Sequence, residues 1–296
     1  MSAISVLYDA PGPKARVRNW IYSVVVAAAI LVAGWLVFKA LDEKGQWAAE
    51  KWKPFLESQI WTTYLFEGLK GTLTAAAMSI VFALVLGMLF GILRLSDHRS
   101  IRIVAGTIVE IARAIPVLIL MIFLFAVYSQ YNLFPNEQLA LAAVVTALTV
   151  YNGSVVAEIV RSGIKSLPKG QTEAAVALGM RKTQVMTFIL LPQAVTAMLP
   201  ALVSQMVVAL KDSALGYQIT FLEVVRSGAQ LGAAEQNTFQ SLLVVAAIMI
   251  VLNYTLTWVA TRLERWLRTR KRGSRTVVGA DTSLNVPGMD ITSGKA

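Results

Sequence analysis

The chain has 296 residues, 56% of them hydrophobic and 15% charged, with a mean hydropathy of +0.62 and a formal net charge of +10. A soluble domain carries about 25% charged residues, so this composition belongs to a membrane protein; basic residues in membrane-flanking loops account for the charge better than nucleic-acid binding does. The absence of cysteine excludes disulfides, thiolate metal sites and a cysteine nucleophile, and the single histidine, His98, argues against histidine-based metal or triad chemistry.

A helix needs about 20 apolar residues to cross a bilayer. Six segments qualify, near 20–40, 70–93, 103–130, 138–160, 190–210 and 238–261. The first follows Lys14, Arg16 and Arg18, and its 19 uncharged residues Trp20–Phe38 exceed a signal-peptide core. Asp42-Glu43-Lys44 follows it instead of a small-residue cleavage pattern, so it is predicted to stay as a span. Residues 42–66, with Trp47, Trp52 and Trp61, are predicted to form an external segment whose indoles sit at the headgroups. The second span holds 23 uncharged residues, Gly71–Leu93, and the last holds 26, Gln236–Thr261. Residues 211–237 read as an external connection of moderate polarity, and 273–296 as a polar, disordered tail. There is no internal repeat.

Lysine and arginine set the orientation. With the N-terminus inside, the inner segments hold Lys14, Arg16 and Arg18, then Arg94, Arg99 and Arg102, then Arg161, Lys165, Lys169, Arg181 and Lys182, and finally the cluster from Arg262 to Arg275. The outer segments hold only Lys44, Lys51, Lys53, Lys211 and Arg226. Both termini are therefore expected in the cytoplasm, and the basic rim after the last span is expected to contact anionic lipid.

The inner loop 161–189 departs from its surroundings. Pro168, Gly170 and Thr172 lead into Glu173-Ala174-Ala175. Thr172 is the expected N-cap, Glu173 favours the helix dipole, and Gly179 is the expected stop because glycine accepts a left-handed backbone. A second helix is expected from Arg181 to Leu191. Small side chains on the first helix let a partner approach closely; the alternative is an ordinary capped helix in a loop.

Charges inside the membrane are functional candidates. Glu110 and Arg113 lie three apart and share a helix face, where they either line a path or merely neutralise each other. Asn152 and Gly153 interrupt the fourth span, and Asn152 is placed to face a path or bond another helix. Glu158 and Arg161 fall near the inner interface, where snorkelling accounts for them. Lys211 and Asp212 end the fifth span as an interfacial pair or an outer gate. Pro192 and Pro200 mark a hinge or simple curvature. No phosphate loop occurs, since Gly68-Leu69-Lys70-Gly71-Thr72 has the wrong spacing, so any ATP must be bound elsewhere. No residue pattern suggests catalysis, a metal or a cofactor.

The spacing Glu173-Ala-Ala, three residues, Gly179, nine residues, Ile189-Leu-Leu-Pro192 resembles the EAA signature of ABC importer permeases. AEIVRSGIKSLPKGQTEAAVALGM at 157–180, LLPQAVTAMLPALVSQMVVALKDSALG at 190–216 and EIARAIPVLILMIF at 110–123 are similar to the polar amino acid uptake permeases of the histidine, glutamine and glutamate kind. In place of the more common Arg-Gly-Thr-Pro-Leu-Leu stands Arg113-Ala-Ile-Pro116-Val-Leu, a variant closest to glutamate-type permeases. The resemblance implies an all-α membrane protein of six transmembrane helices with the type I ABC importer permease fold. It divides the chain into 1–65 (N-terminal segment, first span and external segment), a five-span permease core at 66–268, and a basic, polar tail at 269–296.

It further implies that 172–189 is a cytoplasmic coupling helix, with Glu173, Ala174, Ala175 and Gly179 docking on a dimeric ATPase. A second permease chain, identical or homologous, would complete the pathway, and an extracytoplasmic amino acid-binding protein would deliver the substrate. The substrate path would run past Glu110, Arg113, Asn152, Lys211 and Asp212. The alternatives are an ABC permease for another small polar solute, a gradient-driven secondary transporter, and a membrane enzyme; the last lacks any catalytic set.

Overall fold

The computed structural model describes residues 12–272, so residues 1–11 and the expected disordered tail at 273–296 lie outside the described residues. Every regular element among the described residues is helical. In hydrocarbon a helix satisfies its backbone hydrogen bonds internally, which an open sheet cannot do. The long helices are α1 (Pro13–Glu43), α2 (Phe66–Leu93), α3 (Arg99–Ala114), α4 (Val117–Gln130) and α5 (Asn136–Lys165). They are followed by α6 (Lys169–Ala177), α7 (Leu191–Asp212), α8 (Val224–Ala234) and α9 (Thr238–Arg272). Among the described residues, five segments are long and apolar enough to cross a membrane, or six if α3 and α4 count as one span.

That pair is where the structure departs from the expected third span. The helix stops at Ala114, Ile115 is extended (φ −81, ψ 124), and α4 leaves at 97°. Pro116 has no N–H to continue the ladder and disfavours a helical conformation at the residue before it.

Helix α5 is central, and close approach to α2 seats it. Gly87 and Gly91, four apart on α2, lie directly against Val156 and Val160 of α5; a Cβ added at Gly91 would sit 2.6 Å from the Val160 Cβ. This is small-residue packing, the usual source of helix association where lipid removes the hydrophobic drive. Gly163 of α5 meets the Met198 side chain of α7 in the same way. No residue of α1 is buried.

The connection 211–237, read as moderately polar, is a packed wedge. After a 3-10 stretch, Ser213–Ile219, helix α8 fits between α2 and α9. Gly71 of α2 leaves room for the Leu222 carbonyl, Gly228 for Val245, and Gly232 for Thr238. In the segment 42–66 the indoles make contacts within the chain. Trp47 stacks on Phe38 at 5.2 Å, meets Phe239 edge-on at 5.8 Å and donates its indole N–H to the Phe38 carbonyl. The Trp61 N–H goes to the Phe55 carbonyl at 2.8 Å. These indoles are used in packing. With Asn237 Nδ2 donating to the Lys51 carbonyl at 3.0 Å, they staple α1 to the start of α9.

Pro192 is the second residue of α7, and the chain before that helix widens into a π turn, Val185–Leu190, in which the Leu191 N–H reaches the Met186 carbonyl. The wider turn accommodates a proline ring that would clash with a tight one. Helix α9 runs on to Arg272, so residues 269–272, expected in the tail, continue the helix.

Gly91→Ala is expected to lower the thermal stability of the detergent-solubilised chain, by about 1–3 kcal/mol as overpacking usually does. Gly106→Ala, whose Cβ would meet nothing nearer than Arg94 Nε at 4.0 Å, should leave it unchanged. Thermal unfolding of both variants checks this.

Candidate functional site

The inner loop is built as a short helix with a sharp stop. Helix α6 starts at Lys169 after Pro168, whose ring presets φ at −58°, and the Gln171 N–H already bonds the Pro168 carbonyl at 3.1 Å. Thr172 therefore lies inside the helix and caps nothing, and Glu173 is no longer in the first turn. The expected stop at Gly179 holds. Its φ is +77°, its N–H bonds the Val176 carbonyl at 2.9 Å, and the Met180 N–H bonds the Ala175 carbonyl at 3.2 Å. This pair of bonds is the Schellman closure, which needs a residue without a Cβ penalty.

The expected unit 172–189 is thus two pieces. One is α6; the other begins at Lys182, with the Arg181 N–H held by Gln184 Oε1 at 2.8 Å, and continues into α7. Of the signature residues, Ala175 is buried, while Glu173, Ala174 and Gly179 are exposed. Leu178 is 82% exposed and Val176 57%, on a loop that the charge pattern puts in water. Apolar side chains presented to water mark an interaction surface.

The second group of candidates converges on one charge cluster, which the sequence reading saw only in part. Arg94, expected as a loop cation, has a side chain only 10% exposed and bridges two helices. Its Nη2 donates to Glu110 Oε1 at 2.8 Å and its Nη1 to Glu158 Oε2 at 2.6 Å. Arg161 also grips Glu158, with Nε to Oε2 at 3.2 Å and a closer Nη2 contact to Oε1. Glu158 and Arg161 are thus an ion-paired knot, not snorkelling side chains.

Glu110 and Arg113 do meet as their spacing predicts, but loosely: Arg113 Nη1 stands 3.9 Å from Glu110 and 3.9 Å from Glu158. Three guanidinium groups face two carboxylates, and Arg113 is the one held at arm's length. It is 38% exposed and opens with Glu110, Tyr151 and Val155 onto a groove of about 300 Å³. The cluster as built can receive an anion at Arg113.

Asn152 is not in that groove. It is 1% exposed, donates to its own helix at the Leu148 carbonyl (2.9 Å), and accepts from Gln205 Nε2 of α7 at 2.7 Å. It bonds another helix, the second of its two expected roles. At the far end of α7, Lys211 is exposed and Asp212 half-buried. Neither shares a cavity with Arg113.

Nearby lies a residue that sequence reasoning missed. Glu223 is fully buried at the N-terminus of α8, where its carboxyl accepts from Val225 N at 2.8 Å and Arg226 N at 2.6 Å. Burial pushes its pKa up to about 7, against those two N–H groups and the Arg226 charge, which pull it down. The signal available in the sequence was a glutamate directly before Val224-Val225-Arg226, in N-cap position.

Residues 63–269 match the model of the family described as "Binding-protein-dependent transport system inner membrane component". The glutamate transport system permease protein GluD of Corynebacterium glutamicum is 60% identical over 228 residues, which is 77% of this chain and 84% of that protein. The probable glutamine ABC transporter permease protein GlnP of Bacillus subtilis is 33% identical over 210 residues, covering 70% of this chain and 95% of that one. A crystal structure of an amino acid ABC transporter with histidines superposes with a TM-score of 0.63 at 29% identity, over 69% of this chain and 94% of that chain.

The raised pKa of Glu223 has a stability consequence of definite sign. The fold favours the neutral carboxyl, so this stabilisation is fully present below the ordinary value of 4.5 and is lost as pH rises through about 7. Thermal unfolding of the chain across that interval should show stability falling with rising pH, and Glu223→Gln should flatten the slope. An equal slope in the variant would contradict the assignment.

Proposed function

This chain belongs to the family of binding-protein-dependent transport system inner membrane components, and we propose that it is the membrane-spanning subunit of an ATP-driven importer of polar amino acids, with glutamate as the first candidate. The observation that carries this reading is the inner loop. A short helix, closed by Gly179 at φ +77° and showing Val176 and Leu178 to water, stands in a chain with no phosphate loop of its own. Such a chain needs a separate motor and has a surface on which to seat one. The loop then faces the cytoplasm, as the lysine and arginine distribution requires, and both termini lie on the same side. An ATPase dimer docks there, a second permease chain completes the path, and an external binding protein delivers the amino acid. ATP is bound by the partner, and no substrate bond is broken by this chain.

The 60% identical relative is a glutamate permease by name. The charge cluster suits that cargo: Arg113 has unspent donors toward the groove beside Tyr151, where a substrate carboxylate would replace its distant contacts to Glu110 and Glu158. Lys211 and Asp212 would stand at the outer end of the same route, and Asn152 would hold α5 to α7 beside it. A proton-driven mechanism needs a carboxylate on the substrate path free to take up a proton, and the buried Glu223 does not line the groove. Glu110 and Glu158 are instead both held by Arg94, the latter by Arg161 as well.

In a reconstituted transporter, Glu173→Lys and Gly179→Glu are expected to abolish ATP-driven uptake while leaving the chain folded; normal uptake at normal expression would refute the coupling role. Arg113→Ala is expected to reduce uptake while the ATPase still co-purifies. Unchanged uptake would show that Arg113 only balances charge.

A further inference from the structure

The turn between α2 and α3, residues 94–98, is gripped from two sides. On the loop side, Lys182, just beyond the α6 stop, places its ammonium on the Asp97 carboxylate and donates to the Leu95 carbonyl at 3.1 Å. On the membrane side, Arg94 binds Glu110 and Glu158. From α3, Arg102 donates to the Ser96 carbonyl at 2.8 Å, so the turn is tied to the helix that follows it. Glu110 and Arg113 lie on that same helix, directly before the break at Ile115.

These contacts form one continuous route from the docking loop to the groove. It leaves the α6–α7 connection at Lys182 and crosses directly to the α2–α3 turn, without following the helix axes. We propose that Lys182 and Asp97 form a latch by which the coupling loop moves the α2–α3 turn, and through Arg94 sets the position of Arg113. They are positioning residues: neither touches the groove. The proposal rests on the docking role of α6 and adds the second point at which that loop holds the membrane helices. Coupling between sites needs a physical element that both sites bias, and the turn is in contact with both.

The side chains of Lys182 and Asp97 are 50% and 75% exposed. An exposed pair contributes little to stability, so removing it does not unfold the chain and its effect on transport can be read directly. The test uses the complete transporter in proteoliposomes, measuring amino acid taken up per ATP hydrolysed. Lys182→Gln and Asp97→Asn are each expected to lower that ratio several-fold with the ATPase still bound. Lys182→Arg should keep it, and the charge exchange Lys182→Asp with Asp97→Lys should restore it. An unchanged ratio in the single variants, or no recovery in the exchange, would overturn the latch. Gly179→Glu, measured alongside, separates this from the parent reading. If it abolishes uptake while the latch variants couple normally, the latch fails and docking stands. If it transports normally, docking itself fails and the latch with it.

Discussion

An ionised side chain at membrane depth is tolerated only beside its counter-charge, and in this molecule that requirement decides how the inner ends of three helices meet. Glu158 and Glu110 would each be costly alone in a low-dielectric interior. Arg94 answers both, at 2.6 and 2.8 Å, and in doing so ties α2 to α5 and α3. Because one cation is shared by two carboxylates and Arg161 takes up the rest of Glu158, Arg113 is left with donors to spare. Arg113 lines the groove beside Tyr151.

The remaining architecture keeps that cluster in place and lets its neighbours move. The glycine contacts of α2 with α5 bring two backbones close enough to hold register without any polar group. The wedge α8, capped by Glu223, packs against the N-terminal parts of α2 and α9. By contrast, α3 ends at a 97° bend one residue past Ala114, where no hydrogen bond of either helix crosses Ile115–Pro116. Arg113 thus stands at the end of α3 directly before the break, while Arg94 ties that helix to α2 and α5.

Much of this was readable in the sequence because lipid simplifies the code: a long uncharged run such as Gly71–Leu93 has few folds open to it. The stop at Gly179 was readable too, since a left-handed residue closing a short helix is nearly a glycine monopoly. What was not readable depended on distance in sequence or on competition between local signals. Arg94 and Glu158 are 64 residues apart, and nothing local announces their contact. Thr172 looks like a cap, but Pro168 starts the helix earlier. Pro116 predicts a kink and not its size. Residues 211–237 read as a connection of moderate polarity because of residues such as Glu223, whereas glycines on α2 and α8 let the segment pack closely and the Glu223 carboxyl is satisfied at a helix terminus.

The most direct test of the account is uptake of labelled glutamate into proteoliposomes holding this chain, first alone and then with its ATPase, second permease chain and binding protein. The account predicts accumulation only with the complete set and ATP, with competing amino acids ranking by their resemblance to the true substrate. Accumulation by this chain alone, driven by an ion gradient, would contradict it.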